Sequence, residues 1–222
     1  MGSVLFSSSN RKLRRGQAAL LLALILLLAA PLVAQKAAPS ASAPTVAVTF
    51  NLRSSELTVV DAKYRVFYNK FEKKSLPIQG YDLPSAIRDE VMTTLAGDKR
   101  FQWRAAGEED KLDAAKLADE KHRTPDLLSS AKADRVLLVD VGGFSAFQSG
   151  MYHNMFIQAT VTMIDRASGR KLWKHGIFEK IKFSGNLEKL QSEDQKQLKE
   201  NVNTLIEKAC QRIKTKVAGS KV

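Results

Sequence analysis

A single α/β (α+β) domain, a mixed β-sheet with helices packed on it and a long carboxy-terminal helix, is the fold that this sequence predicts. Three observations point to it. β-rich runs alternate with helical periodicity in the first half, a hairpin pattern fills the second half, and an apolar stripe runs from Leu198 to Val217. The chain has 222 residues, 44% apolar and 26% charged, a globular balance that excludes wholesale disorder and a polytopic membrane protein. The one cysteine, Cys210, excludes an internal disulfide framework and a cysteine-rich zinc module.

Thr45 to Leu52 alternates β-branched and small residues, and Glu56 to Tyr68 is a second β-rich stretch. Pro77, Gly80 and Pro84 then mark a loop. A helix follows, with Asp82 as its cap, Pro84 in its first turn, Ile87, Val91 and Leu95 on one face, and Gly97 at its end. Arg100 to Ala105 is a short strand with Phe101 and Trp103 on one side. Residues 107–123, rich in charge and alanine, predict an exposed helix with a thin stripe of Leu112, Ala115 and Leu117. Thr124 caps a short helix that begins at Pro125 and encloses Leu127 and Leu128.

Arg135 to Val141 is the most apolar strand and so the central one. Met155 to Ile164 places Ile157, Ala159, Val161 and Met163 on one face. Asp165 to Gly169 is a turn, with glycine in a left-handed conformation, before a strand from Lys171 to Phe183. Ser192 starts the last helix, and Gln195 completes a capping box. Its buried stripe is Leu198, Val202, Leu205, Ile206, Ala209, Ile213 and Val217, with Cys210 as a reduced core residue beside it. The order is therefore β-β-α-β-α-α-β-β-β-α, in one domain over residues 46–222.

Ahead of this domain, Arg11, Lys12, Arg14 and Arg15 precede an apolar run from Ala18 to Ala34 broken only by Pro31. A span needs about 20 apolar residues, and this run is 17 long. The pattern over residues 1–34 is that of a secretory signal peptide cleaved after Ala34, giving a periplasmic protein; its alternative is an uncleaved anchor in the inner membrane. Residues 35–45 form a Pro/Ala/Ser linker. The chain carries a formal net charge of +12. Its excess of base is concentrated in residues 171–222, with 12 basic and 6 acidic side chains, a solvated face or a surface for anionic envelope polymers and lipid.

Three segments together resemble a known family: a helix leading through Leu95-Ala96 to Arg100-Phe101-Gln102-Trp103; Ala133-Asp134-Arg135-Val136-Leu137-Leu138-Val139; and Ala159 to Trp173, containing Asp165-Arg166-Ala167-Ser168-Gly169. Over residues 83–183 this resembles the periplasmic α/β domain of the curli-secretion channel lipoprotein and of the lipoprotein activators of penicillin-binding proteins. The chain departs from that group in having no cysteine after its apolar run and in its charged segment at 107–123. The resemblance implies an accessory, non-catalytic envelope protein.

No constellation completes a catalytic motif. Gly143-Phe144-Ser145-Ala146-Phe147 breaks the nucleophile-elbow pattern at its second glycine. His122, His153 and His175 lack metal-ligand spacing with one another or with Cys210. The sequence thus predicts no catalytic residue, no metal, no cofactor and no nucleic-acid partner. One cluster stands out: Phe144, Phe147, Met151, Tyr152, Met155 and Phe156 beside Gly142, Gly143 and Gly150. In a glycine-containing loop these six side chains make a contact patch for an envelope protein or an anionic envelope surface. Such a protein is an accessory, assembly or binding module of the bacterial envelope. Its alternatives are a membrane-surface protein using its basic carboxy-terminal region, and a cell-wall enzyme.

Overall fold

One long strand organises the domain. In the computed structural model, which describes residues 42–65, 68–120, 125–150, 152–183, 190 and 195–220, β5 (Arg135–Ser149) pairs along its whole length with β6 (Tyr152–Asp165), antiparallel. Its other edge is shared. Residues 135–141 pair in parallel with β1 (Thr45–Leu52), and residues 144–148 pair in parallel with β2 (Leu57–Arg65). β4 (Gln102–Ala105) adds to β1, β3 (Tyr68–Leu76) to β2 and β7 (Lys171–Lys182) to β6. Among the described residues these seven strands form one mixed sheet. The signal or anchor reading of residues 1–34 and residues 35–41 of the linker lie outside the described residues, as do His122, Thr124, Met151 and Ser192.

The sequence reading stops the central strand at Val141 and makes residues 142–156 a loop; the structure corrects this. β5 runs on to Ser149 through a bulge at Gly142, because Val141 pairs with Ala159 while Gly143 pairs with Gln158. The extra residue resets the alternation. Leu137, Val139 and Val141 before it, and Phe144 and Ala146 after it, therefore share one core. A strand without the bulge would turn Phe144 to the other side.

That core is closed by two helices, α1 (Leu83–Leu95) and α3 (Lys196–Gly219), which pack on each other. α1 starts as its sequence predicts, with Asp82 accepting the Ser85 backbone N–H at 3.2 Å. Every residue of the predicted α3 stripe is buried, and Cys210 with it. Gln195 differs from its predicted capping role. It sits at φ +47°, and its side chain reaches instead to the 77–79 loop, accepting from the Gln79 N–H at 2.8 Å and donating to the Pro77 carbonyl at 3.3 Å.

On the opposite side of the sheet a smaller core of Leu117, Leu128, Ala131, Val136, Leu138 and Ile164 covers the β1 end. It replaces the exposed helix predicted over 107–123. The segment is a 3₁₀ turn at Glu108–Asp110 and a short α2 (Ala114–Ala118) whose Leu117 is fully buried. Asp110 is buried too. Its carboxylate accepts from both terminal nitrogens of Arg104, each at 2.6 Å, and from the N–H groups of Gly107 and Lys132, each at 2.9 Å. Arg104 holds that carboxyl far below the usual range, helped by the two backbone donors.

Candidate functional site

The second core covers only one end of its side of the sheet. Toward the β2–β3 end no helix or loop among the described residues packs on the strands, which leaves a bare surface, and the register places its side chains in rows. Lys73, Val60, Phe147, Asn154 and Lys182 form one row across β3, β2, β5, β6 and β7. Ser75, Thr58, Ser145, Phe156 and Lys180 form the next. Gly143, Gln158 and Phe178 follow. Phe71 lies one row to the other side, opposite Ala62. Phe71, Phe147, Phe156 and Phe178 thus make a diagonal from one sheet edge to the other, across a sheet width of about 19 Å at the usual strand spacing. Its two ends are open: Phe71 is 53% and Phe178 52% exposed. Phe147 and Phe156 are half-buried, and the Phe156 and Phe178 rings stand 5.6 Å apart.

The six side chains of the predicted patch part company here. Phe144 and Met155 lie on the helix-covered side, 1% and 0% exposed, because each follows the buried phase of its strand. They are core, which corrects the reading of them as contact residues. Phe147 and Phe156 point to the bare side, where Tyr152, 70% exposed, joins them at the hairpin end. Met151 lies outside the described residues. Phe71 and Phe178 were absent from the sequence reading. The signal for both was an aromatic in the polar phase of a lysine-containing strand: Lys174, Gly176, Lys180 and Lys182 share the phase of Phe178.

Beside the aromatic diagonal lies a polar hollow of about 480 Å³. Asp140 on β5 lines it and is held from two directions. Its Oδ1 accepts from Asn51 Nδ2 at 2.8 Å and from Arg53 Nε at 3.2 Å, and its Oδ2 accepts from Arg53 Nη2 at 2.7 Å. Asp140 in turn raises the Arg53 pKa through that hydrogen bond and its charge. Arg53 lies at the break between β1 and β2 next to the bulge, its N–H donating to the Val141 carbonyl at 3.2 Å.

The remaining chemistry-bearing groups are engaged elsewhere. Ser145 sits between Thr58 and Phe156 in its row. His153 contacts the Gly150 carbonyl at 3.0 Å, and His175 contacts the Ser220 hydroxyl at 2.9 Å. Burial pushes the Cys210 thiol up to about 12. Among the described residues, no group of three or more His, Cys, Asp or Glu could hold a metal ion, and no helix is long and apolar enough to cross a membrane. The apolar stripe of α3 is buried against the sheet and α1, so this helix offers solvent its polar side only.

No family model matches the chain, and no curated protein does. Solved structures do. The hypothetical protein CT253 from Chlamydia trachomatis superposes with a TM-score of 0.55 at 12% identity, over 80% of this chain and 96% of that one, a shared fold. The PelC dodecamer from Paraburkholderia phytofirmans gives 0.39 at 14% identity, covering 76% and 84% of the two chains. Lipoprotein GNA1162 from Neisseria meningitidis gives 0.38 at 12%, covering 78% and 99%. The narrower resemblance to the curli-secretion and penicillin-binding-protein activator lipoproteins rests on the sequence segments alone.

Proposed function

We propose that this chain is a non-enzymatic, exported protein of the bacterial envelope, an accessory or assembly module that contacts another envelope component through the bare face of its sheet. One observation carries the reading: four phenylalanines aligned edge to edge on a face that no element among the described residues covers, with Tyr152 at its end. Half-exposed aromatics gain free energy from burial, and interface centres favour Phe and Tyr. Covering a side chain of this size fully stabilises by roughly 1.5–3 kcal/mol, so even the uncovered portions of four such rings amount to several kcal/mol. The basic and apolar run over residues 11–34 supports export, which would restrict the partner to the envelope. Photo-crosslinking from a benzophenone amino acid at Tyr152, in cells of the native host, tests it. A discrete adduct with an envelope component is the expected result. Adducts with cytoplasmic proteins only, or none above the level from an exposed position on α3 such as Lys208, would overturn it.

A further inference from the structure

The hollow next to the aromatic diagonal has the make-up of a ligand site of its own. Its volume of about 480 Å³ falls within the roughly 300–1,000 Å³ of small-ligand sites. We infer that it binds a neutral saccharide ring, an inference that rests on the bare face being the contact surface.

The charges in the hollow point to a neutral ligand. Arg53 and Asp140 are locked side by side by two hydrogen bonds, so the guanidinium offers no uncompensated charge to a phosphate and the carboxylate none to a cation. The pair still has hydrogen-bonding capacity: the second Nη2 hydrogen of Arg53, next to the Nη1 hydrogens, and a lone pair on Asp140 Oδ2 have no protein partner among the described residues. A fixed acceptor beside a fixed donor matches a vicinal diol, in which one hydroxyl donates to the carboxylate and its neighbour accepts from the guanidinium. Asn51 keeps the carboxylate in register at 2.8 Å. Thr160, opposite Asp140, and Gln158, one row on, line the same hollow with further hydroxyl and amide groups.

The opposite wall is apolar. Phe178, 52% exposed, lines the hollow and supplies an aromatic surface for the C–H side of a sugar, with Phe156 beside it at 5.6 Å. Gly176, paired with Thr160, ends the polar row on β7, two residues before Phe178. A Cβ built there would meet nothing within 4 Å, so packing does not demand glycine at this strand position. What its missing side chain provides is space in the hollow.

Gly176→Leu therefore gives a clean test, because it fills the hollow without straining the strand. Calorimetric titration of the full chain with chitotetraose, and separately with maltotetraose, should show binding of at least one. Gly176→Leu and Phe178→Ala should each weaken it about tenfold or more, with melting temperatures no lower than a few degrees below wild type. Absence of heat with both sugars at millimolar concentration overturns the inference. So does unchanged affinity in Gly176→Leu, or binding of adenosine in place of either sugar. If the Tyr152 crosslink forms while both sugars fail, the saccharide assignment alone falls and the contact face stands.

Discussion

Phe156 on β6 and Phe178 on β7 are diagonal neighbours across a strand boundary, their rings 5.6 Å apart, on the side of the sheet turned away from α1 and α3. One residue earlier on β6, Met155 is 0% exposed beneath those helices. The alternation of a single strand thus separates side chains that hold the fold from side chains that the fold does not need.

That separation is measurable. Phe144→Ala should cost about 3–5 kcal/mol, as for a fully buried aromatic. Phe178→Ser, on a half-exposed position, should cost under about 1 kcal/mol. Urea denaturation of the two variants checks both values, and equal losses would show that the bare face is packed.

Gly169 closes the turn between β6 and β7 at φ +66°, with its N–H donating to the Asp165 carbonyl at 2.9 Å. A Cβ there would also approach the Pro125 nitrogen to 3.0 Å. Gly169→Val should therefore lower stability by about 1–3 kcal/mol or more, through strain and this contact together. A melting temperature equal to that of wild type would contradict it.

Asp110 ties the second core to β4 through Arg104. Its removal leaves a guanidinium without its partner and two N–H groups unsatisfied, so Asp110→Ala should cost about 3 kcal/mol at neutral pH. The pH dependence has a definite sign. The folded-state pKa lies below the unfolded value of about 3.9, so the contribution is complete above that value and fades as pH falls toward the folded one. The gap between wild type and variant should narrow on going from pH 7 to pH 3 in denaturation experiments.

Cys210 has a thiol raised to about 12, first by burial and then by the charges of Glu90 and Glu207. It should react with a thiol reagent at neutral pH only as fast as the core opens, and rapidly in urea. Rapid labelling of the native protein would place it outside the core.

The sequence reading located β1, α1, β4, β6, β7 and the buried stripe of α3, since each has a clear period and a burial phase to match. It missed β3 because the strand reads YNKFEKKSL: a sheet edge wants lysines, and no apolar alternation betrays it. It ended β5 early because Gly142 and Gly143 signal a loop locally, while only pairing with β6 reveals the bulge. Of the six side chains in the predicted patch, three lie on the solvent side and two in the core, and one cause explains both outcomes. Phe147, Tyr152 and Phe156 are apolar in the solvent phase of their strands, but without the strands there was no phase, and Phe144 and Met155 looked equivalent to them. Asp110 was hidden among charged neighbours, since its burial depends on Arg104 and on two backbone donors, one of them 22 residues away.

In the proposed function it is the bare face, and not the core behind it, that makes the contact. The most direct measurement is co-purification of envelope partners with a Phe156→Ser/Phe178→Ser double variant, paired with its circular dichroism spectrum and melting temperature. The expected result is a folded variant, melting within a few degrees of wild type, that no longer retains the partners held by wild type. A folded variant that retains them undiminished would contradict it, as would a variant that unfolds.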